Sequence, residues 1–393
     1  NNPYYSGEYS SHNRSRERKW HSALRFDLPL SATSMLTLGG RIERDKFIFT
    51  EIEDGESFSD TMKRNTNATF VQWNWRPSSQ WSVETGLRRE EIKNVMPPDS
   101  DHASRKNNLW LPSLNIAWTP NADQRAHLGL ARTYRNPKFK EMIPGFYRDW
   151  GGWYQNPYLQ GNPDLRHETS TGLELGFTQA LRDEGKQVGK LSANVFARSI
   201  SNALITELYS MPNPNEYAVS YQPDIWVLRS INGPRTRVLG LELGAQYDLK
   251  HTALQLPVNL NANLTLTETK VADRESPARL FGQSPAVLDL GFDARTQGGG
   301  LPDVWGMSVR LESGYKARMN PTTISQVRPL RSLSMRAMWK LNPSTRLRGT
   351  LGQFGNNWHS TAVTPADPSG GTSEVSLRTK RFWMAGLMLE KDF

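Results

Sequence analysis

Along most of the chain, apolar side chains recur at every second position with polar ones between them, the period of an extended strand that has one oily and one wet face. Leu24, Phe26, Leu28 and Leu30 alternate with Arg25 and Asp27. After a turn at 31–34, Leu36, Leu38 and Ile42 alternate with Thr37, Arg41 and Glu43. Trp81, Val83, Thr85 and Leu87 oppose Ser82, Glu84, Gly86 and Arg88, and Trp110, Leu114, Ile116 and Trp118 oppose Ser113, Asn115 and Ala117. In 258–266 the alternate residues Val258, Leu260, Ala262, Leu264 and Leu266 are apolar, and those between are asparagine or threonine. At the end of the chain Trp383, Ala385, Leu387 and Leu389 share one parity, Met384, Gly386, Met388, Glu390 and Asp392 the other, and the last residue is Phe393. This pattern predicts about fifteen spanning strands, starting near Arg18, Met35, Asn67, Trp81, Leu109, Gln124, Thr169, Leu191, Thr236, Val258, Ala286, Trp305, Arg331, Arg346 and Val375. The stretch 224–230 is the place where one further strand could hide.

The connections alternate in length. Short ones fall at 76–80, 119–123 and 342–345, with somewhat longer ones near 181–188, 250–255 and 296–302. Long ones cover about 51–67, 97–107, 136–168, 207–235, 270–283, 317–328 and 356–376. A soluble sandwich shows the same alternation along each strand but has no reason to sort its loops this way. A transmembrane barrel of outer-membrane type does, with short periplasmic turns opposite long outer loops and aromatic girdles at both interfaces. Trp73, Trp75, Trp81, Trp118, Tyr247 and Trp305 sit at strand ends as such girdles require. The predicted fold class is therefore all-β, an antiparallel outer-membrane barrel occupying 1–393 as one domain.

Composition is compatible with this and excludes little by itself. Apolar residues are 37% of the chain and mean hydropathy is −0.63, so no stretch supplies the roughly 20 apolar residues of a spanning helix. Barrel strands need only alternate residues to be oily. Cysteine is absent, as suits an exported bacterial protein without disulfides. The net charge of +9 is spread over strands and loops with no basic helix, so nucleic acid is not expected as a partner, and lipopolysaccharide phosphates or an anionic ligand remain.

Several blocks together suggest a family. Thr133-Tyr-Arg-Asn-Pro137 with Phe139 and Met142 is followed by Leu159-Gln-Gly-Asn-Pro-Asp-Leu-Arg-His-Glu-Thr-Ser170 and Leu173-Glu-Leu-Gly-Phe177. Asn194-Val-Phe-Ala-Arg-Ser-Ile-Ser-Asn-Ala-Leu-Ile205 and Ile231-Asn-Gly-Pro-Arg-Thr-Arg-Val-Leu-Gly-Leu-Glu-Leu243 come next. Over about 130–250, and again at the terminal phenylalanine, the chain resembles the barrel of TonB-dependent outer-membrane receptors, siderophore-receptor type. The resemblance implies a Gram-negative outer-membrane location with the C-terminus periplasmic. It also implies a barrel of about 22 strands and an N-terminal plug that contacts TonB. The plug and the first strands have no counterpart in this sequence, so it reads as the C-terminal portion of such a barrel, with the remainder truncated, disordered or carried on another chain. Lys391, two before the end, departs from the apolar residue usual there.

The expected function is uptake of a scarce ligand, a ferric siderophore foremost, bound by the long outer loops. The alternative is a passive barrel without a plug, a porin-like or secretion component that reuses the receptor architecture. For ligand contact the sequence singles out Phe146, Tyr147, Arg148, Trp150, Trp153, Tyr154 and Tyr158, because aromatic faces and a guanidinium suit a flat anionic ferric catecholate. The same loop could instead pack on itself or on lipopolysaccharide sugars. Charges on the inner parity, among them Glu84, Arg88, Glu174, Arg198, Glu242, Asp289, Asp293, Arg310, Glu312, Arg336 and Arg348, read first as paired wall charges. The seven histidines show no zinc-site spacing, and the 99–102 run ending in His102 reads as a solvated loop tip. No nucleophile, base and orienting group occur together, so no catalysis, metal or cofactor is expected.

Overall fold

The computed structural model describes residues 11–53, 56–98, 104–148, 152–153, 157–214, 223–251, 257–272, 279–280, 282–296, 300–318, 323–354, 358–363, 373–378 and 382–391. Fifteen strands form one continuous antiparallel sheet in chain order. They are β1 (Ser11–Ser31), β2 (Ser34–Glu53), β3 (Glu56–Trp75), β4 (Trp81–Val95), β5 (Arg105–Asn121), β6 (Gln124–Arg135), β7 (Glu168–Asp183) and β8 (Lys186–Ser201). Then follow β9 (Thr236–Asp248), β10 (Val258–Val271), β11 (Ala286–Arg295), β12 (Val304–Glu312), β13 (Leu330–Asn342), β14 (Thr345–Phe354) and β15 (Phe382–Lys391). The short turns are closed by side chains that mimic backbone acceptors two residues on. Thr33 N–H donates to Ser31 Oγ (3.2 Å), Asp123 N–H to Asn121 Oδ1 (2.9 Å) and Ser344 N–H to Asn342 Oδ1 (3.1 Å). Between β7 and β8, Glu184 and Gly185 both take positive φ (46° and 79°), as a two-residue hairpin turn requires.

Cross-strand register lines the apolar parity into bands. Val83, Ile116, Leu128, Leu175, Val195, Leu241, Leu266 and Ala286 are successive partners from β4 to β11. Leu260, Phe292, Met307, Met335, Leu351 and Ala385 continue a second row from β10 to β15. These side chains face outward: Leu175 is 58% exposed, Val195 54% and Leu387 76%. Leu260 and Leu389 are exposed too and Leu264 is half-buried, so the oily face is not the inside of a sandwich. It is a surface fit for acyl chains. Trp73 stacks on Trp75 and Trp81 on Trp118 at the short-turn end, as the girdle there.

The opposite face is polar and carries glycines where a neighbour crosses closely. The His127 ring lies over Gly176, where a Cβ would come within 2.0 Å of His127 Cε1. The His127 Nε2 faces Glu174 Oε1 at 3.3 Å.

The predicted count of fifteen wall strands agrees with the sheet, but three expectations need correction. The 51–67 loop is mostly wall: β2 runs to Glu53 and β3 starts at Glu56, so the hairpin projects as paired strand. The stretch near 224–230 is a strand, Asp224–Asn232, yet it pairs with Leu204–Pro212 outside the wall. The last wall strand starts at Phe382 rather than near Val375; Ser373–Arg378 pairs instead with Trp358–Val363 in a small outer sheet. Alternation reports an extended chain with two unlike faces, and it does not say which sheet that chain joins.

The main apolar core lies at the long-loop end. Phe47 and Phe49 of β2, Met62 of β3 and Met96 beyond β4 meet Phe139, Met142, Ile143 and Leu165 of the 136–167 connection. Phe47 and Phe139 stack at 5.4 Å between centroids. Arg64, only 6% exposed, fastens this connection to the wall: Nε donates to Asn94 Oδ1 (2.8 Å), Nη2 to the Pro137 carbonyl (2.7 Å), and the guanidinium sits 4.7 Å over Phe139. Beside it His167 is 4% exposed, with the Tyr134 ring edge-on at 6.0 Å and no hydrogen-bond partner for either ring nitrogen.

Two outcomes follow from this junction. Gly161 N–H donates to the Gly145 carbonyl (3.0 Å), and a Cβ on Gly161 would stand 2.0 Å from the Ile143 carbonyl oxygen. Gly161→Ala should loosen the connection by about 1–3 kcal/mol, read as faster proteolysis within 136–167. Gly349→Ala, which meets only Trp339 at 3.6 Å, should leave it unchanged. Burial, then the Arg64 charge, pushes His167 down to about 4 from an ordinary 6.5. The released segment then binds a proton that the docked one refuses, so docking is full above pH 6.5 and weakens as pH falls toward 4. The total is about 3 kcal/mol. Protease sensitivity should rise across that window, and His167→Gln should flatten the profile.

Candidate functional site

Four short strands carried by two outer connections form a separate sheet above the wall. Its order is Leu204–Pro212, Asp224–Asn232, Tyr158–Gln160, Phe146–Arg148. The handover from the wall occurs after β8, where Asn202 takes φ of 54° and the chain turns out into Leu204–Pro212. Glu168 at the start of β7 holds this corner: its Oε2 accepts from Leu204 N–H and from Arg135 Nη2, both at 2.9 Å.

The Gly-Asn-Pro block ties the two connections together. Asn162 Nδ2 donates to the Ser230 carbonyl (3.0 Å), and Asn162 N–H to the Glu141 carbonyl (2.7 Å). Asn232 accepts from Arg166 N–H at Oδ1 (2.7 Å), and its Nδ2 donates to the carbonyls of Arg166 (3.0 Å) and Asn202 (3.1 Å). An asparagine amide can donate and accept at once, which is why it suits a joint between two loops. The neutral His167 ring and buried Leu165 sit beneath.

Register places Phe146, Tyr158, Gln160, Tyr209 and Arg229 on one face of the loop sheet. Directly opposite residues on paired strands share a face: Tyr209 and Tyr158 both oppose Val227, and Gln160 lies between Arg229 and Phe146. Phe146 and Tyr158 make an edge contact at 5.6 Å. The Arg229 guanidinium stacks 4.6 Å from the Tyr209 ring and pairs with Glu207 at 3.1 Å, and Tyr209 Oη donates to Gln160 Oε1 at 2.7 Å. Val227, fully buried, packs in their midst.

Of the seven residues singled out from sequence, Phe146 and Tyr158 are thus brought together. Trp153 is 58% exposed, next to Gly152, whose carbonyl accepts from Trp226 N–H (2.8 Å). Trp150 and Tyr154 lie outside the described residues, as do the side chains of Tyr147 and Arg148. Sequence reading missed Tyr209 and Arg229. Their signal was the alternation within 204–212 and 224–232, visible only once those strands are placed in a loop sheet.

On the inner wall the charges are mostly paired: Arg310 with Asp289 (3.7 Å) and Glu312 (2.9 Å), Arg336 with Asp293, Arg348 with Glu390 (3.0 Å). Arg88 pairs with Glu90, which also accepts from the Tyr134 hydroxyl. Toward the short turns the wall opens to a recess of about 1000 Å³ with a mixed lining, in which Gln72, Asn74, Glu84, Asn115, Arg125 and His127 stand among apolar residues such as Met35, Trp75 and Leu128. Among the described residues no three histidine or carboxylate groups converge as a metal site, and the 99–102 run lies outside those residues.

Comparison with known proteins agrees with this architecture. The family model for the TonB dependent receptor-like β-barrel matches residues 1–357. The chain is 31% identical to the ferrienterobactin receptor of Escherichia coli (strain K12) over 210 residues, 51% of this chain and 25% of that protein. It is 26% identical to an iron-regulated outer membrane virulence protein of Vibrio cholerae over 220 residues, 51% of this chain and 31% of that one. Among solved structures the copper transporter OprC is similar, with a TM-score of 0.66 over 97% of this chain and 57% of that chain at 13% identity. The ferric yersiniabactin uptake receptor FyuA from Yersinia pestis has a TM-score of 0.62 over 99% of this chain and 56% of that chain, again at 13% identity. The chain thus spans little more than half the length of the similar structures, and its aligned part a third or less of the curated relatives. With a wall built for the outer membrane and a family model covering most of its residues, the chain belongs to the TonB-dependent receptor-like β-barrel family.

Proposed function

We propose that this chain is the wall and ligand-facing mouth of a receptor that imports a ferric siderophore, energised by TonB through a plug seated against the polar inner face. The observation that carries the reading is the loop-sheet face: Phe146, Tyr158 and Tyr209 present rings beside the Arg229 guanidinium at the outer end of the wall. Rings accept a flat ligand by stacking, and the guanidinium supplies charge against an anionic chelate. The names of the Escherichia coli and Yersinia pestis relatives, receptors for ferric chelates, support the same ligand class. The inner recess, whose lining includes the amides of Gln72, Asn74 and Asn115 beside Glu84 and Arg125, supports the plug, because such groups can hydrogen-bond a second folded unit.

Deleting the gene should abolish or slow growth under iron limitation on at least one ferric chelate; unchanged growth on every chelate tested would count against the import reading. For the chelate so identified, Arg229→Gln and Tyr209→Ala should each weaken binding by roughly 3–30-fold, measured by fluorescence titration of the purified receptor. Equal affinity in both variants would remove the loop-sheet face from the site. In planar bilayers the intact receptor should conduct almost nothing, whereas a steady open channel would favour a passive barrel.

A further inference from the structure

The loop sheet is left open along one side. Leu204–Pro212 begins its order and pairs with Asp224–Asn232 on one edge only, whereas the strand at the far side is the three residues Phe146–Arg148. Hydrogen-bond parity says which backbone groups line the open edge. Gly233 N–H donates to the Ala203 carbonyl (2.7 Å) and Asn213 N–H to the Pro223 carbonyl (2.8 Å), so the odd-numbered residues between them bond to the paired strand and the even-numbered ones face away from it. Leu204 follows this rule: its N–H donates to Glu168 Oε2 (2.9 Å) and its carbonyl accepts from Arg135 Nη2 (3.5 Å). Pro212, at the other end, has no N–H to give. Between these two stops the backbone N–H and carbonyl groups of Thr206, Leu208 and Ser210 have no hydrogen-bond partner among the described residues. Thr206 and Ser210 are exposed. Open edges are normally blunted by charge, a bulge or brevity; here the three positions are uncharged and their register is unbroken.

The pattern along this edge is complementary to itself. Laid antiparallel on its own copy about Leu208, the strand sets Thr206 opposite Ser210 and Leu208 opposite Leu208, and every free N–H meets a free carbonyl. Pro212, without a donor, falls opposite Leu204, whose N–H is already taken, so the ladder stops at the same place on both copies. Glu207 falls opposite Tyr209 and Ile205 opposite Met211, so no like charges meet. Other registers are poorer. Centring on Thr206 sets Leu208 against Leu204, centring on Tyr209 or Ser210 sets a ladder residue against Pro212, and centring on Glu207 opposes two carboxylates.

We propose that this edge pairs with a second copy of the chain, joined by isologous antiparallel pairing of Leu204–Pro212 about Leu208. The two four-stranded loop sheets then become one sheet of eight strands. A two-fold axis normal to a sheet keeps each face on its own side, so the Tyr209 and Arg229 faces of both copies lie side by side. The pairing does not depend on which ligand the receptor imports.

The chain has no cysteine, so introduced thiols report the register without background. Thr206→Cys and Ser210→Cys variants of the intact receptor, co-expressed and oxidised in isolated outer membranes, should form a disulfide-linked dimer, because opposed Cα atoms lie about 5.5 Å apart. Either variant expressed alone should stay uncross-linked, since the matching thiol is displaced by four residues, at least about 13 Å along the strand. Native mass spectrometry of the wild-type receptor in detergent should show the dimer. Ser210→Pro, which removes a ladder donor, should weaken it by at least about tenfold, while Ser210→Ala, which keeps the backbone N–H, should leave it unchanged. No cross-link in the mixed pair, equal cross-linking of the single variants, or a wild type that stays monomeric at every concentration would each overturn the proposal.

Discussion

Every backbone amide that enters hydrocarbon must find its partner within the protein, and the remainder of this molecule is arranged around that requirement. Strand pairing satisfies it for the thirteen inner members of the sheet, while β1 and β15 are each paired along one edge, and pairing forces the two faces of each strand into different solvents. Rows such as Leu128, Leu175, Val195 and Leu241 exist because a single register carries one parity across every neighbour. A slip of one residue between any two strands would turn leucine inward and aspartate toward lipid, so the alternation and the hydrogen-bond ladder hold each other in place.

Because the wall's interior is polar, it cannot supply a hydrophobic core in the usual position. The core is displaced to the outer mouth, where Phe47, Phe49 and Met62 meet Phe139, Met142 and Leu165. There the structure accepts a buried cation, Arg64, and a neutral buried histidine, His167, as the means of fastening loop to wall. The loop sheet stands on this base, and its face of rings and a guanidinium gets its geometry from the asparagine joints at Asn162 and Asn232. The surface proposed for ligand contact, though made from connections, is thereby given the rigidity of a scaffold.

The wall was legible in sequence because period-2 alternation is a local signal that Leu260, Asn261 and Ala262 display without reference to anything else. Loop length separated the short-turn end from the long-loop end, although the first long stretch, 51–67, is largely paired strand. What alternation could not convey was membership. The strand 224–232 carries the same pattern as its neighbours in the wall, yet Asn202, with its left-handed backbone, has already diverted the chain. The same ambiguity displaced the start of the last strand. Tyr209 and Arg229 stayed hidden for a related reason: they are separated in sequence and become neighbours only through pairing in that diverted sheet. The aromatic run at 146–158 was conspicuous as composition, whereas the meeting of Phe146 with Tyr158 required a fold.

The strands also differ in reach. Those at the start of the sheet run 21, 20 and 20 residues, while β11 and β12 have 10 and 9. At about 3.3 Å per residue the surplus is tens of ångströms of strand, shortened somewhat by tilt. The wall strands therefore end unevenly: one flank stands as a palisade of paired backbone above the bilayer, and on the other the small outer sheet of Tyr315–Arg318, Thr323–Val327, Trp358–Val363 and Ser373–Arg378 takes over where the wall strands stop. The two flanks of the mouth thus reach outward by different means, one by unbroken wall strands and the other by a separately paired sheet.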